Sequence, residues 1–127
     1  MTLDILICSL NKGIVRMQDV LLPPREGLHY VVSYQYTDER YLDLVPDVLR
    51  SRPDVSLYIY KGQGLSATRN LALDKATSDL VMYADDDARL LPETFDTVVK
   101  PFVENEGLDV ACFCASTYTG KPLKNYP

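Results

Sequence analysis

Four short apolar runs, at residues 3–8, 30–34, 55–60 and 80–84, recur along the chain. Segments of helical character separate them. Each run reads as a β-strand, and strand alternating with helix favours a parallel sheet, because parallel neighbours need a crossover that a helix supplies. The expected fold is therefore α/β: a Rossmann-like three-layer α/β/α arrangement with a mostly parallel central sheet. The run at 80–84 is continuously apolar and suggests a central strand, buried on both faces. A fifth strand is expected at 109–114.

The segments between the runs carry their own punctuation. Residues 14–22 read as a short helix stopped by Pro23-Pro24, and 39–51 as a helix that Pro46 kinks or restarts. Ser66 is the expected N-cap of a helix to about residue 77, with Ala67, Leu71, Ala72 and Ala76 on one face. Pro92 suits the first position of the next helix. There Phe95, Val98, Val99, Phe102 and Val103 follow an amphipathic period, Pro101 should kink the helix late, and Gly107 should end it. The 127 residues contain no internal repeat and no linker, so a single domain, 1–127, is expected.

Charge excludes some partners. Thirteen Lys and Arg against eighteen Asp and Glu leave a net charge of −5. No nucleic-acid partner is expected, because phosphate backbones need cationic excess. No apolar run approaches the roughly 18 residues of a membrane span. The N-terminal Met1-Thr2-Leu3-Asp4 lacks the positive start of a signal peptide. Three cysteines make an odd count and no disulfide framework, so Cys8, Cys112 and Cys114 read as buried core thiols in a reducing setting. A cytoplasmic location follows as the expectation, with peripheral attachment at the inner face of the membrane as its variant. The single histidine, His29, reads as a surface residue.

Two stretches carry candidate chemistry. Asp85-Asp86-Asp87 follows the fourth apolar run, at the end of a strand where open α/β sheets bind ligands. Acids at i and i+2 on such a turn can face the same space, and oxygen ligands of this kind suit Mg²⁺ or Mn²⁺. The competing reading is a solvated acidic loop before a helix N-terminus, where negative charge is mildly favourable. The second stretch is Gly64-Leu65-Ser66-Ala67-Thr68-Arg69-Asn70. A glycine loop entering a helix offers N–H groups to an anion, and Arg69 lies in the first turn. It lacks the Gly-Lys-Ser/Thr of a nucleoside-triphosphatase loop. An ordinary cap with a solvated Arg competes with this reading.

Taken together, these pieces resemble family 2 glycosyltransferases, whose fold is of the GT-A type. Ile7-Cys8-Ser9-Leu10-Asn11 is similar to the family's first strand and its Pro-Thr-Tyr-Asn-type ending. Residues 64–70 are similar to its Gly-Leu-Ser-x-Ala-Arg-Asn stretch. Residues 80–87 are similar to its apolar strand ending in Asp-x-Asp, with Pro92 seven residues after Asp85. The resemblance implies a metal-dependent donor-binding domain, the N-terminal part of a longer enzyme. That enzyme would transfer a sugar, with inversion, from a nucleotide-diphosphate sugar to an acceptor saccharide or lipid-linked glycan. Carried over by position, Asp87 would coordinate the divalent cation. Asp85 would approach the ribose or assist at the metal, and Asp86 would support the loop at the nucleotide sugar. Ser9 and Asn11 would touch the base, and Arg69 the base or phosphate.

The chain also departs from the family pattern. Where the family has an Asp-Asp-Gly-Ser-type turn, this chain has Ser33-Tyr34-Gln35-Tyr36-Thr37-Asp38. Tyr34 occupies the acidic position, where stacking or a phenol hydrogen bond would replace a carboxylate contact to the base. Ala88 stands where a third acid often follows. Glu104, Glu106 and Asp109 are the late acids, and none reads as the general base. Two other readings stand beside this one: a non-catalytic nucleotide- or metal-binding module, and a phospho-receiver domain. The receiver pattern needs acids after the first and third strands. Here those strands end in Ser9-Leu10-Asn11 and Tyr60-Lys61-Gly62, which excludes it. An open sheet edge with an apolar face would favour pairing with a second copy.

Overall fold

A computed structural model describes residues 1–112. Four strands, β1 (Leu3–Leu10), β2 (Leu28–Tyr36), β3 (Val55–Lys61) and β4 (Leu80–Asp85), form one sheet in the order β3-β2-β1-β4. All three pairings are parallel. The α/β expectation therefore holds.

β1 is central because it is apolar on both faces. Leu3, Ile5 and Ile7 point to one side and Leu6 to the other, and none of the four has exposed surface. Full burial of each such side chain contributes about 1.5–3 kcal/mol. The side bearing Ile5 carries the main core, where Tyr30, Val32 and Tyr34 of β2 meet Ile14, Met17, Leu49, Phe95 and Val98. The opposite side is covered by α2 (Leu65–Lys75). There Ala72 packs on Leu6 and Val31, and small residues let the helix approach closely. The sheet thus lies between two layers.

Local chemistry moved several helix boundaries. Residues 11–20 form a 3₁₀ helix instead of an α-helix. Pro46 splits the expected 39–51 helix into a 3₁₀ stretch, Glu39–Leu44, and a short α1, Asp47–Ser51. Proline disfavours a helical conformation in the residue before it, and its ring then suits a helix start. Gly64, not Ser66, is the N-cap of α2, so the stripe facing the sheet is Thr68 and Ala72, while Ala67 is exposed. α3 spans Thr94–Glu104, so Pro92 lies outside it. Pro101 sits inside α3 without ending it, and α3 stops before Gly107. Phe95, Val98 and Val99 are buried, but Val103 is 60% exposed.

Two strand expectations change as well. Among the described residues β4 is an edge strand, with Val81 and Tyr83 exposed on the α2 side. Its apolar run is covered on one face only. Residues 109–112 form no strand, and Cys112 is exposed rather than buried. The rest of the expected fifth strand, with Cys114, lies outside the described residues. No helix among the described residues is long and apolar enough to cross a membrane.

The amino ends of the strands are tied by polar groups. The buried Asp4 carboxylate accepts the Thr77 and Ser78 N–H groups at 2.7 and 3.1 Å and the Ser78 hydroxyl at 2.7 Å. This closes the turn from α2 into β4. Ahead of β3, Arg52 pairs with Asp54 at 2.5 Å and donates to the Leu22 carbonyl at 2.8 Å. The Arg52 hydrogen bond holds the Asp54 carboxyl below its ordinary value of 3.8.

A folded-state value below the unfolded one means that this stabilisation is complete above pH 3.8 and is lost as the pH falls through the lower value. We predict that Asp54→Asn lowers stability by about 1–3 kcal/mol at pH 7. The gap from the parent should shrink below pH 3.8 in urea unfolding. A gap that does not change with pH would contradict this assignment.

Candidate functional site

The parallel pairing brings the carboxyl ends of β1, β2 and β4 together. Cys8 stands in register with Ser33 on one side and Asp85 on the other. Asp85, the last residue of β4, therefore lies on the α2 side of the sheet, beside the first turns of α2.

The three acids of the turn have different surroundings. The Asp86 side chain is only 13% exposed. Its Oδ2 accepts the Ser9 hydroxyl at 2.8 Å. Its Oδ1 accepts Arg16 Nη2 at 2.7 Å and Nε at 3.2 Å. Asp85 and Asp87 are exposed, and neither side chain accepts a hydrogen bond or forms an ion pair among the described residues. The middle acid anchors the turn and leaves its two neighbours without an ion pair, Asp87 within electrostatic reach of Arg16 and Asp85 of Cys8.

Gly13 makes that anchor possible. A Cβ on Gly13 would overlap the Asp86 Oδ2 and crowd the Ser9 hydroxyl. The glycine is needed here for close approach.

Two adjoining hollows open beside the turn. The smaller one, about 210 Å³, is lined by Cys8, Leu65, Arg69, Tyr83, Ala84 and Asp85. The larger one, about 360 Å³, is lined by Cys8, Ser9, Leu10, Gln35, Gln63, Gly64, Leu65, Thr68 and Asp86. Cys8 and Leu65 border both. Together they reach the lower part of the roughly 300–1,000 Å³ range of small-ligand sites. Arg69 sits at one wall with its guanidinium 5.9 Å from the Tyr83 ring centre. Burial pushes the Cys8 thiol up, which keeps it protonated at neutral pH and disqualifies it as a nucleophile.

Of the residues expected at the site, Ser9, Arg69, Asp85 and Asp86 meet at these hollows, and Asp87 is exposed on the turn and lines neither. Asn11 and Tyr34 stand elsewhere. Asn11 adopts a left-handed backbone with φ of 50°, which Asn tolerates better than most residues. Its amide donates to the Thr37 hydroxyl at 3.0 Å and accepts the Thr37 N–H at 2.9 Å. It fastens the end of β1 to the end of β2. Tyr34 has no exposed surface. Its hydroxyl donates towards the Asn11 and Tyr41 carbonyls, both at 3.0 Å. The ring is core and presents no face to a base. Strand alternation is the reason, since Tyr34 shares the side of Val32 while Ser33 and Gln35 face α2.

Sequence reasoning missed Arg16, Gln35 and Thr68. Arg16 gives no local signal, because its partner lies 70 positions away. Gln35 and Thr68 did have one. Ser33 and Gln35 alternate with apolar neighbours in β2, and buried polar groups at that spacing need a partner across the layer. The Thr68 and Ser33 hydroxyls lie 2.6 Å apart.

Two free carboxylates two positions apart offer the hard oxygen donors that Mg²⁺ or Mn²⁺ accepts. No group of three or more His, Cys, Asp or Glu converges among the described residues.

A parallel α/β sheet with an acidic turn and a cleft at its carboxyl end defines a domain of the GT-A type. Solved structures share this fold. S. aureus TarS 1-349 superposes with a TM-score of 0.56 at 18% identity, over 84% of this chain and 33% of that one. TarS 1-349 in complex with UDP-GlcNAc gives 0.57 at 18% identity, over 84% and 32%. This chain therefore spans about a third of those structures. The chain belongs to glycosyl transferase family 2, whose pattern matches residues 36–127. No curated protein matches it in sequence.

The anchor can be tested by coupling. Gly13→Ala should destabilise the fold by about 1–3 kcal/mol through overpacking. In the background of Asp86→Ala the same change should cost much less, because its obstacle is gone. Strictly additive effects in denaturant unfolding would show that Gly13 and Asp86 do not meet.

Proposed function

We propose that this chain is the donor-binding domain of a metal-dependent glycosyltransferase that uses a nucleotide-diphosphate sugar. One observation carries the reading: Asp86 is pinned by Ser9 and Arg16, while the Asp85 carboxylate, without an ion pair, lines a cleft that Arg69 borders, and Asp87 is exposed on the same turn. A merely solvated acidic loop needs no such anchor. Unpaired adjacent acids repel each other, and a divalent cation relieves that repulsion. The donor complex of TarS supports the ligand class by analogy.

In this reading Asp87 and Asp85 hold a divalent cation, Mg²⁺ or Mn²⁺, together with the diphosphate. When bound, the ion neutralises charge on the departing diphosphate. Arg69 adds a positive charge at the smaller hollow, and Asp86 keeps the turn in place. Ser9 acts through Asp86, and Asn11 and Tyr34 act by holding the strand ends. Inversion at the sugar requires a base that takes the proton of the acceptor hydroxyl. Glu104, Glu106 and Asp109 are exposed on or after α3 and line neither hollow, so that base is assigned outside the described residues. The acceptor is a saccharide or lipid-linked glycan. We propose the cytoplasm, or the inner membrane face, as its location.

Calorimetric titration with UDP tests the reading. Binding should strengthen by at least about tenfold when Mn²⁺ is added, and Asp87→Ala should abolish that gain while leaving the thermal midpoint near that of the parent. UDP binding that is indifferent to Mn²⁺ and to Asp87 would remove the metal from the proposal.

A further inference from the structure

β3 is an outer strand of the sheet, with β2 on one side of it only. At its start the Tyr30 N–H donates to the Asp54 carbonyl, and at its end the Gly62 N–H donates to the Tyr36 carbonyl. In a parallel ladder, alternate residues bond the same neighbour. Asp54, Ser56, Tyr58, Tyr60 and Gly62 therefore turn their peptide groups towards β2, while Leu57 and Ile59 turn theirs outward. No other element among the described residues takes a backbone bond from Leu57 or Ile59.

Proteins guard such edges with charge, proline, bulges or a covering element. β3 has none of the first three along its middle. Residues 56–60 hold no charge and no proline, and the register runs unbroken from Val55 beside Tyr30 to Lys61 beside Tyr36. A hollow of about 520 Å³ lies along the strand, lined by Leu57, Tyr58, Ile59 and Tyr60 with Ala67 and Leu71 of α2. Successive strand residues point to opposite faces, so a hollow lined by four in succession follows the edge itself. No charged group lines it.

The ends of the strand select the partner. An antiparallel copy of β3, related by a two-fold axis at Tyr58, sets Leu57 opposite the partner's Ile59 and Ile59 opposite the partner's Leu57. Each such pair exchanges two N–H to C=O bonds, so the outward groups satisfy one another. The same axis keeps the two Lys61 residues at opposite ends. It lays each Lys61, exposed and without an ion pair among the described residues, beside the partner's Val55 and next to the partner's Asp54. Opposite charges therefore adjoin. β4, the other outer strand, does not suit such pairing. It runs between Asp79 and Asp85, and an antiparallel copy would bring these like charges together.

We propose that the edge of β3 docks a second copy of this chain: the two copies join antiparallel, strand to strand, into one continuous sheet, with Tyr58 and Tyr60 of each filling the hollow of the other. The pairing uses up both edges, so assembly closes at a dimer. It is independent of the donor site, because this hollow shares no lining residue with the two at the acidic turn.

Sedimentation velocity over a concentration series tests the dimer, and hydrogen exchange of the ¹⁵N-labelled chain at both ends of that series tests its edge. A species of twice the chain mass should grow with concentration. Once it predominates, the Leu57 and Ile59 amides should exchange at least about tenfold more slowly, while those of Ser56, Tyr58 and Tyr60, bonded to β2 in either state, change little. Ile59→Pro removes only an outward N–H, which an edge strand tolerates. It should weaken dimerisation by at least about tenfold while thermal unfolding stays cooperative. A parent that stays monomeric up to about 1 mM would overturn the proposal. So would a dimer in which Leu57 and Ile59 exchange as fast as in the monomer, open-ended association, or a folded Ile59→Pro that dimerises like the parent. The exchange pattern of the parent decides the outcome even where the proline variant does not fold.

Discussion

A carboxylate taken out of water must find partners, and at Asp86 this requirement organises the site. Its side chain is mostly covered, so an unpaired charge there would carry a desolvation penalty of several kcal/mol. Ser9 at the end of β1 and Arg16 from the following 3₁₀ helix meet that need from two directions. Gly13 leaves the space in which the three groups meet. With Asp86 fixed, Asp85 is left lining the cleft on the α2 side and Asp87 exposed on the turn, within electrostatic reach of Arg16.

The same anchor depends on the sheet. Ser9 can reach Asp86 only because β1 and β4 run parallel and end together, with Cys8 beside Asp85. That register is held by the apolar faces of β1, since a shift of one residue would turn Ile5 and Ile7 outward from the main core. It is also held at the far end, where Asp4 ties the α2–β4 turn to the start of β1. Core packing and chemistry are therefore coupled along one strand. The buried Tyr34 extends this logic, because its hydroxyl steadies the carbonyl of Asn11, which in turn grips Thr37.

Much of this was legible in the sequence, and the limits have physical causes. The four apolar runs predicted the four strands to within about two residues at most ends, because strand burial is written in local composition. The acidic turn was legible because it follows an apolar run directly. The split of the 39–51 segment followed from Pro46. Tyr34 lies in the core despite its place in the motif, because the two-residue period of the strand puts it with Val32. The division of labour within Asp85-Asp86-Asp87 was half legible. The supporting role of the middle acid came from the resemblance, but its partner Arg16 could not be found locally. β4 looked central because apolar length does not say how many neighbours a strand has.

The central claim is that Asp85 and Asp87 are held apart for a cation shared with a nucleotide diphosphate. Paramagnetic broadening in a ¹⁵N-correlated spectrum measures this most directly, with Mn²⁺ added to the labelled protein before and after UDP. The account predicts broadening centred on residues 85–87 that reaches Cys8 and Ser9 and sharpens in its focus once UDP is present. Broadening centred elsewhere, or UDP shifts in the cleft with no broadening at residues 85–87, would contradict it.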